Sequence, residues 1–179
     1  MPPIEPIVRK LARAQAGLFR SADAIGADQW ESCPGNGVWS AGEVVAHLIM
    51  VERTIIGKAD RITQKPVRLT PLWKRFHLPL ALVEARLIRL KTPIPLDPQL
   101  IREKEAMLGE LRDVRGRTLA FLEETKNRDL SLYCWPHPFL GTLNLYEWFQ
   151  MIACHELRHS KQMREIATAL PKAVEALRK

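Results

Sequence analysis

Two histidines, His155 and His159, lie four residues apart in the segment His-Glu-Leu-Arg-His. In a helix this spacing places both side chains on one face, about one turn apart. Two imidazoles at that separation can bind one metal ion. A third histidine, His47, falls on the apolar face of another segment with helical periodicity. Three histidines directed into one core, with no obvious fourth protein ligand, are typical of a catalytic metal site that keeps one position open for water or substrate.

The energetic cost of burial supports a metal site. A single histidine on an apolar face is usually a hydrogen-bonded core residue, and for His47 taken alone this interpretation stays open. Burying His155 and His159 together without partners would cost about 1–3 kcal/mol for each unpaired polar atom. A metal ion removes that cost by binding one nitrogen of each ring, and the other nitrogen then needs an acceptor. Gln162, one turn after His159, can hydrogen-bond the site, although it can equally be a residue at the edge of the core.

Glu156, between the two histidines, is the candidate catalytic residue. The segment matches the His-Glu-x-x-His motif of zinc metalloproteases, in which the glutamate is the general base. Such enzymes usually need a further ligand after the motif, but residues 160–179 contain no histidine, so a protease is not favoured. Glu156 lies on the core side of its helix, where it can accept a proton. The alternative is a structural ion pair with Arg53, Lys161 or a similar residue.

Several other residues have simpler explanations. Glu43 points toward the His47 face, but a helix-capping role already accounts for it. Cys154 points away from His159 and is expected to pack in the core. His77 is expected to be solvated. His137, in a proline-rich loop with Trp135, can line the mouth of a pocket.

Apolar residues recur with helical periodicity in four long segments, and no segment shows the alternation of a strand. The prediction is an all-α fold, a four-helix bundle, in a single domain spanning residues 1–179. Bundles of this kind often build metal sites from inward side chains of facing helices. The segments lie at about residues 4–25, 39–62 and 98–125, and a fourth begins after Asn144.

Capping signals define the predicted helix starts. Ser40 with Glu43, and Asn144 with Glu147, have the spacing of a capping box. Asp97-Pro98 offers an N-cap followed by proline at the first helical position of the third helix. The core stripe of the second helix is predicted as Val44, His47, Val51 and Thr54.

A long irregular connection, residues 64–97, is predicted between the second and third helices, with a short helix at about 80–90. Residues 61–96 hold eight basic residues and one acidic residue, which equals the whole net charge of +7. A basic patch suggests nucleic-acid binding, but no binding module accompanies it, and that function is not favoured.

Composition bounds the remaining possibilities. The sequence contains no run of about 18 apolar residues, so no transmembrane helix is predicted. The N-terminus lacks signal-peptide features. The three cysteines have unrelated spacings and suggest no disulfide framework. A cytoplasmic location is therefore expected.

Three segments together resemble the DinB-like superfamily of metal-binding four-helix proteins, which includes bacillithiol transferases and mycothiol-dependent maleylpyruvate isomerases. These segments are 39–48, 137–141 and 155–162. The resemblance covers nearly the whole chain, and the 64–97 connection is its least typical part. It implies an up-down-down-up bundle, often a homodimer, with a divalent metal held by His47, His155 and His159.

Two reactions fit such a site. In the first, a thiol transferase, the metal lowers the pKa of a low-molecular-weight thiol, and basic residues of the connection hold acidic groups of that thiol. In the second, a hydrolase, metal-activated water attacks an ester or amide and Glu156 accepts the proton. Zinc or nickel is expected, and iron is also compatible. The alternative is a non-catalytic metal-binding or nucleic-acid-associated stress-response protein.

Overall fold

Four long helices make up most of the fold. The structure is a computed structural model that describes residues 3–67, 71, 77–85 and 100–170. Within these, α1 packs along α5, α2 packs along α4, and α2 also contacts α5. The mostly helical fold agrees with the predicted all-α class. The helices are α1 (Glu5–Asp23), α2 (Ala41–Thr63), the short α3 (Ala81–Ala85), α4 (Lys104–Glu124) and α5 (Leu145–Ala169), with 3₁₀ turns at Ala27–Gln29 and Leu130–Leu132.

Both predicted capping boxes are confirmed. The Ser40 hydroxyl accepts from the Glu43 backbone N–H at 3.2 Å, and a Glu43 carboxylate oxygen accepts from the Ser40 N–H at 2.7 Å. Asn144 and Glu147 make the same reciprocal pair at 3.1 Å and 2.8 Å. These caps satisfy backbone donors that the first helical turn leaves free. They fix where α2 and α5 begin, and these two helices carry the three histidines.

The predicted start of the third helix is wrong. The helix, α4, begins at Lys104, and its N-cap Glu103 makes no side-chain capping bond; Asp97-Pro98 lies outside the described residues. Ile101 packs against the core as a partly buried residue, and the Arg102 N–H donates to the sulfur of Met107 at 3.2 Å. Contacts with the core thus hold the residues just before α4 in a non-helical conformation.

The prediction that no strand is present is also wrong. Strand β1 (Cys134–His137) pairs antiparallel with β2 (Gly141–Asn144) immediately before α5. Gly141 has φ 96°, which glycine adopts without the steric penalty of a side chain. Trp135 stacks on Trp148 of α5 with ring centroids 4.6 Å apart, and the indole N–H of Trp148 donates to the Trp135 carbonyl at 3.3 Å. The hairpin is therefore anchored on the first turns of α5.

The predicted core stripe of α2 is only partly correct. Val44 and His47 are buried, but Val51 is half-buried and Thr54 is exposed. The buried face continues instead through Glu52, which is 2% exposed and faces the interior. The face that α2 presents to its neighbours thus carries a carboxylate that the apolar pattern did not reveal. Among the described residues, no helix is long and apolar enough to cross a membrane.

Candidate metal centre

The three predicted histidines meet in the structure. α2 supplies His47, and one face of α5 supplies His155 and His159, one turn apart. The Nε2 atom of His155 lies 3.2 Å from Nε2 of His47 and 3.1 Å from Nε2 of His159. One potential ligand atom from each of the three rings lies within 4.8 Å of the other two. The two histidines of α5 and the one of α2 therefore form a cluster of three nitrogens.

The spacing of the nitrogens fits a single divalent ion. With metal–nitrogen bonds of about 2.0–2.1 Å, ligands in a tetrahedral arrangement lie about 3.3 Å apart, close to the observed 3.1 and 3.2 Å. A neutral imidazole carries only one N–H, so a nitrogen that faces two other ring nitrogens cannot form a good hydrogen bond with both. No Asp, Glu or Cys in the described part of the chain joins this cluster. Three imidazoles leave a fourth position open.

A hydrogen bond fixes the state of the His159 ring. The side-chain oxygen of Gln162 lies 3.0 Å from His159 Nδ1, and because an amide oxygen only accepts, Nδ1 carries the proton. In the neutral ring Nε2 then holds the lone pair, and Nε2 faces the cluster. Of the two interpretations left open for Gln162, the structure therefore shows the hydrogen bond to the site. The corresponding Nδ1 of His47 is buried and has no hydrogen-bond partner within the described ranges.

Burial keeps two of the three rings, those of His47 and His155, uncharged. Desolvation lowers the pKa of His47 to about 4. Desolvation also lowers the pKa of His155 well below its usual range, and His159 and His47 reinforce the shift. Both rings are therefore neutral near pH 7, the form in which histidine binds metals.

Aromatic side chains border the cluster. The Trp39 ring centroid lies 5.1 Å from that of His47 and 6.3 Å from that of His159, nearly parallel to the latter. His137 of the hairpin is close enough to contribute to the lowered pKa of His155. Its Nδ1 accepts backbone N–H groups of Phe139 and Leu140 at 3.1 and 3.3 Å, so the neutral His137 ring carries its proton on Nε2.

Glu156 is buried but has a different partner from the ones expected. Its Oε2 accepts from Arg115 Nη2 at 2.9 Å, whereas Arg53 pairs with Glu110 and Lys161 donates to the Glu84 carbonyl. Its Oε1 is buried without a hydrogen bond from any described residue. Burial raises the pKa of Glu156 to about 7, although Arg115 opposes this shift.

Arg115 and Glu52 are the buried charged residues that the sequence analysis missed. Arg115 is 2% exposed and binds both carboxylate oxygens of Glu52, with Nε at 2.8 Å and Nη2 at 3.0 Å. Two carboxylates hold the guanidinium, which raises the pKa of Arg115 despite its burial. The signal was present, because Arg115 lies four residues after the buried Leu111, on the inner stripe of α4.

The remaining candidates lie away from the cluster or have other partners. Glu43 serves the α2 cap. Cys154 is buried, and its sulfur accepts from Lys10 at 2.9 Å, consistent with the packing role expected of it. His77 was expected to be solvated, but its Nε2 lies 2.9 Å from Glu147 Oε1. Of the basic residues in the connection, the following lie outside the described residues: Arg68, Lys74, Arg75, Arg86, Arg89 and Lys91.

Comparisons with known proteins identify the family of this chain. A family model described as the DinB superfamily matches residues 10–163, which include all three histidines. The chain is also similar to an uncharacterised protein of Bacillus subtilis (strain 168), YuaE. The two are 30% identical over 137 residues, which cover 75% of this chain and 81% of the relative.

Proposed function

This chain belongs to the DinB superfamily, and from that premise we propose that it is a divalent-metal-dependent enzyme acting on a small molecule. His47, His155 and His159 are the proposed ligands. The observation that carries the proposal is the convergence of three Nε2 atoms, two pairs of which lie 3.1 and 3.2 Å apart. Zinc or nickel suits three neutral imidazoles, and iron is also compatible.

The bound ion would supply a Lewis acid that lowers the pKa of a thiol or of water at the open position. The surrounding residues prepare the site for this role. Gln162 holds the His159 ring with its Nε2 lone pair toward the cluster. The ring of Trp39 lies against those of His47 and His159 and provides an apolar wall on that side. His137, whose Nδ1 is already engaged, offers its Nε2–H as a donor to a substrate beside His155.

Transfer of a low-molecular-weight thiol to an electrophile is the first reaction we propose. The chain's own thiols are not at the cluster, since the residues that could hold a metal there are all histidines. The reacting thiol therefore comes from outside. The basic connection supplies positive charge for the acidic groups of such a thiol, and binding measured by calorimetry should weaken as salt is added. Absence of saturable binding by low-molecular-weight thiols would contradict this reaction.

Hydrolysis of an ester or amide is the second reaction, and one observation favours it. Glu156 follows the ligand His155 directly, and its buried Oε1 has no hydrogen-bond partner among the described residues. That oxygen is available to accept a proton. Glu156→Gln should then abolish turnover while metal content stays at the parent level. Full turnover in this variant would exclude Glu156 as the proton acceptor.

The first test of the function is elemental analysis of the purified protein beside His159→Ala. We expect about one metal ion per chain in the parent and little in the variant. Zinc at about 100 times its Kd should stabilise the parent by about 2.7 kcal/mol and leave His159→Ala unaffected. His77→Ala is the control, because it removes a histidine that pairs with Glu147. No metal in the parent after incubation with zinc or nickel would make the three histidines core residues.

The proposal also covers the location and the oligomeric state of the protein. The three cysteines are free thiols, which suits a reducing cytoplasm. The family membership supports an up-down-down-up order of the four long helices and a homodimer. A non-catalytic metal-binding or nucleic-acid-associated protein is the alternative. It would be favoured if DNA retention fell steeply with salt and survived removal of the metal.

A further inference from the structure

One buried side chain connects all four long helices. Arg115 of α4 donates to both carboxylate oxygens of Glu52 on α2, at 2.8 and 3.0 Å. It also donates to Glu156 on α5 at 2.9 Å and to the Leu11 carbonyl on α1 at 2.8 Å. The planar guanidinium presents its donors in a fixed fork. The relative positions of the four helices at this level are therefore tied to one rigid group.

This group lies in a polar layer between two apolar clusters. α4 contributes buried residues to one cluster up to Val114 and to the other from Phe121 onward. α5 contributes to one cluster up to Ala153 and to the other from Met163 onward. Between these limits the fully buried side chains of α4 and α5 are mostly polar, so hydrogen bonds contribute to the spacing of the helices. The buried polar side chains at this level include Glu52, Thr118 and Ser160, beside Arg115, Glu156, His47 and His159.

The carboxylates that Arg115 binds are close in sequence to the histidines. Glu52 follows His47 by five residues on α2, and Glu156 directly follows His155 on α5. A shift or rotation of α2 relative to α5 would therefore break the Arg115 contacts and separate the histidines together. Glu52 is held further by the Thr118 hydroxyl, which donates to its Oε1 at 2.7 Å. The Arg115 contacts and the histidine cluster thus both depend on the position of α2 relative to α5.

We propose that Arg115 is a positioning residue for the metal centre. By binding Glu52 and Glu156 at once, it holds His47 at metal-binding distance from His155 and His159. This inference rests on the proposed metal-binding function. It differs from a stability role, because buried ion pairs replaced by apolar groups of similar volume often leave stability unchanged or improve it. The network is expected to matter more for ligand geometry than for folding.

A triple variant, Glu52→Leu with Arg115→Met and Glu156→Leu, separates the two roles. It leaves no unpaired charge, so we expect a folded protein that melts at or above the parent temperature. Zinc affinity should fall by about 10–100-fold, the usual effect of losing groups that orient ligands. Cobalt(II), used as a spectroscopic probe, should show a visible spectrum different from that of the parent complex. Parent affinity and an unchanged cobalt spectrum would overturn the proposal.

Thr118→Val is the milder variant, and it decides the matter if the triple variant does not fold. It is nearly isosteric and removes the hydroxyl that donates to Glu52 and also lies 3.3 Å from the Val114 carbonyl oxygen. We expect a few-fold loss of zinc affinity, together with a lower melting temperature because a buried hydrogen bond to a carboxylate is lost. Affinity equal to that of the parent in a folded variant would count against positioning through Glu52.

A measurement on the metal-free protein distinguishes failure of this inference from failure of the metal-binding function. The rings of His47 and His155 have centroids 5.0 Å apart, so their protons should show a nuclear Overhauser effect in the parent. The effect should weaken or vanish in the triple variant. If the parent binds no metal, the proposed function fails, but this arm still tests positioning. An effect of equal strength in the parent and a folded triple variant would refute it.

Discussion

The acceptor behind His159 provides the most direct test of the metal centre. In Gln162→Leu the His159 Nδ1–H loses the oxygen that it donates to at 3.0 Å. The ring can then move its proton to Nε2, the nitrogen that faces His155, and a protonated nitrogen cannot bind a metal. The variant is thus expected to bind metal more weakly although all three ligands are present.

The expected magnitude follows from the burial of the two partners. Removal of a group that orients a metal-binding histidine typically costs 10–100-fold in affinity, or about 1.4–2.7 kcal/mol. His159 is 6% exposed, but Gln162 is only half-buried, so water can partly replace the lost oxygen. We therefore expect the lower end of that range, about tenfold. The metal-free variant loses one hydrogen bond and should be destabilised by about 1 kcal/mol.

The assay is a competition titration of zinc against a chromophoric chelator near pH 7, together with the melting temperature of the metal-free protein. Gln162→Glu is the matched control. It retains an acceptor, and a carboxylate behind a ligand histidine raises the basicity of the ring, so affinity should equal or exceed that of the parent. Parent affinity in Gln162→Leu would refute the tautomer reasoning. So would an equal loss in both variants, because the acceptor would then not be the deciding property.

Two further predictions concern the elements around the site. Asn144→Ala removes the side-chain acceptor at the start of α5 and should lower the free energy of unfolding by about 1 kcal/mol; an unchanged urea midpoint would contradict this. The Leu78 carbonyl and Glu147 raise the pKa of His77 in the folded protein. The protonated His77 therefore stabilises the fold below the unfolded pKa of about 6.5, and this stabilisation is lost as the pH rises through the folded pKa. The parent should therefore exceed His77→Gln in stability by more at about pH 5.5 than at about pH 8.5, and a pH-independent difference would rule this out.

The features predicted correctly from the sequence depend on residues close together in the chain. A capping box involves positions three residues apart, and both predicted boxes, at Ser40 and Asn144, are present. The pairing of His155 with His159 likewise follows from one turn of helix. His47 could be added because its own helix placed it on a buried face. Such signals survive folding because no distant contact is needed to form them.

The features predicted wrongly depend on contacts across the fold. The strands β1 and β2 have four residues each, too few to show alternation, and β1 contains Pro136. Contacts with distant residues, such as the packing of Trp135 on Trp148, explain why the hairpin forms. Similarly, the start of α4 is moved to Lys104 by core contacts of Ile101 that no local pattern encodes.

The charged network was missed for a different reason. Arg115 and Glu52 are charged, and charged residues are seldom fully buried unless they are paired. Their positions on the inner stripes of α4 and α2 were visible, but the pairing that makes burial tolerable joins residues 63 positions apart. A charged residue at helical spacing from buried apolar positions is thus a signal to search for an opposite charge on another predicted helix.

The network also bears on how the proposed ligands His47, His155 and His159 would hold a dication in a buried layer. Imidazoles bring no negative charge, and an uncompensated buried ion is costly. When both Glu52 and Glu156 are ionised against the single guanidinium of Arg115, the layer carries one net negative charge. That charge lies in the same layer as His155 and offsets part of the charge of a bound ion. An apolar replacement of the network would remove this compensation as well as the helix alignment. Both effects lower metal affinity, so the contact between the His47 and His155 rings in the metal-free protein and the cobalt spectrum are the readouts that isolate the helix alignment.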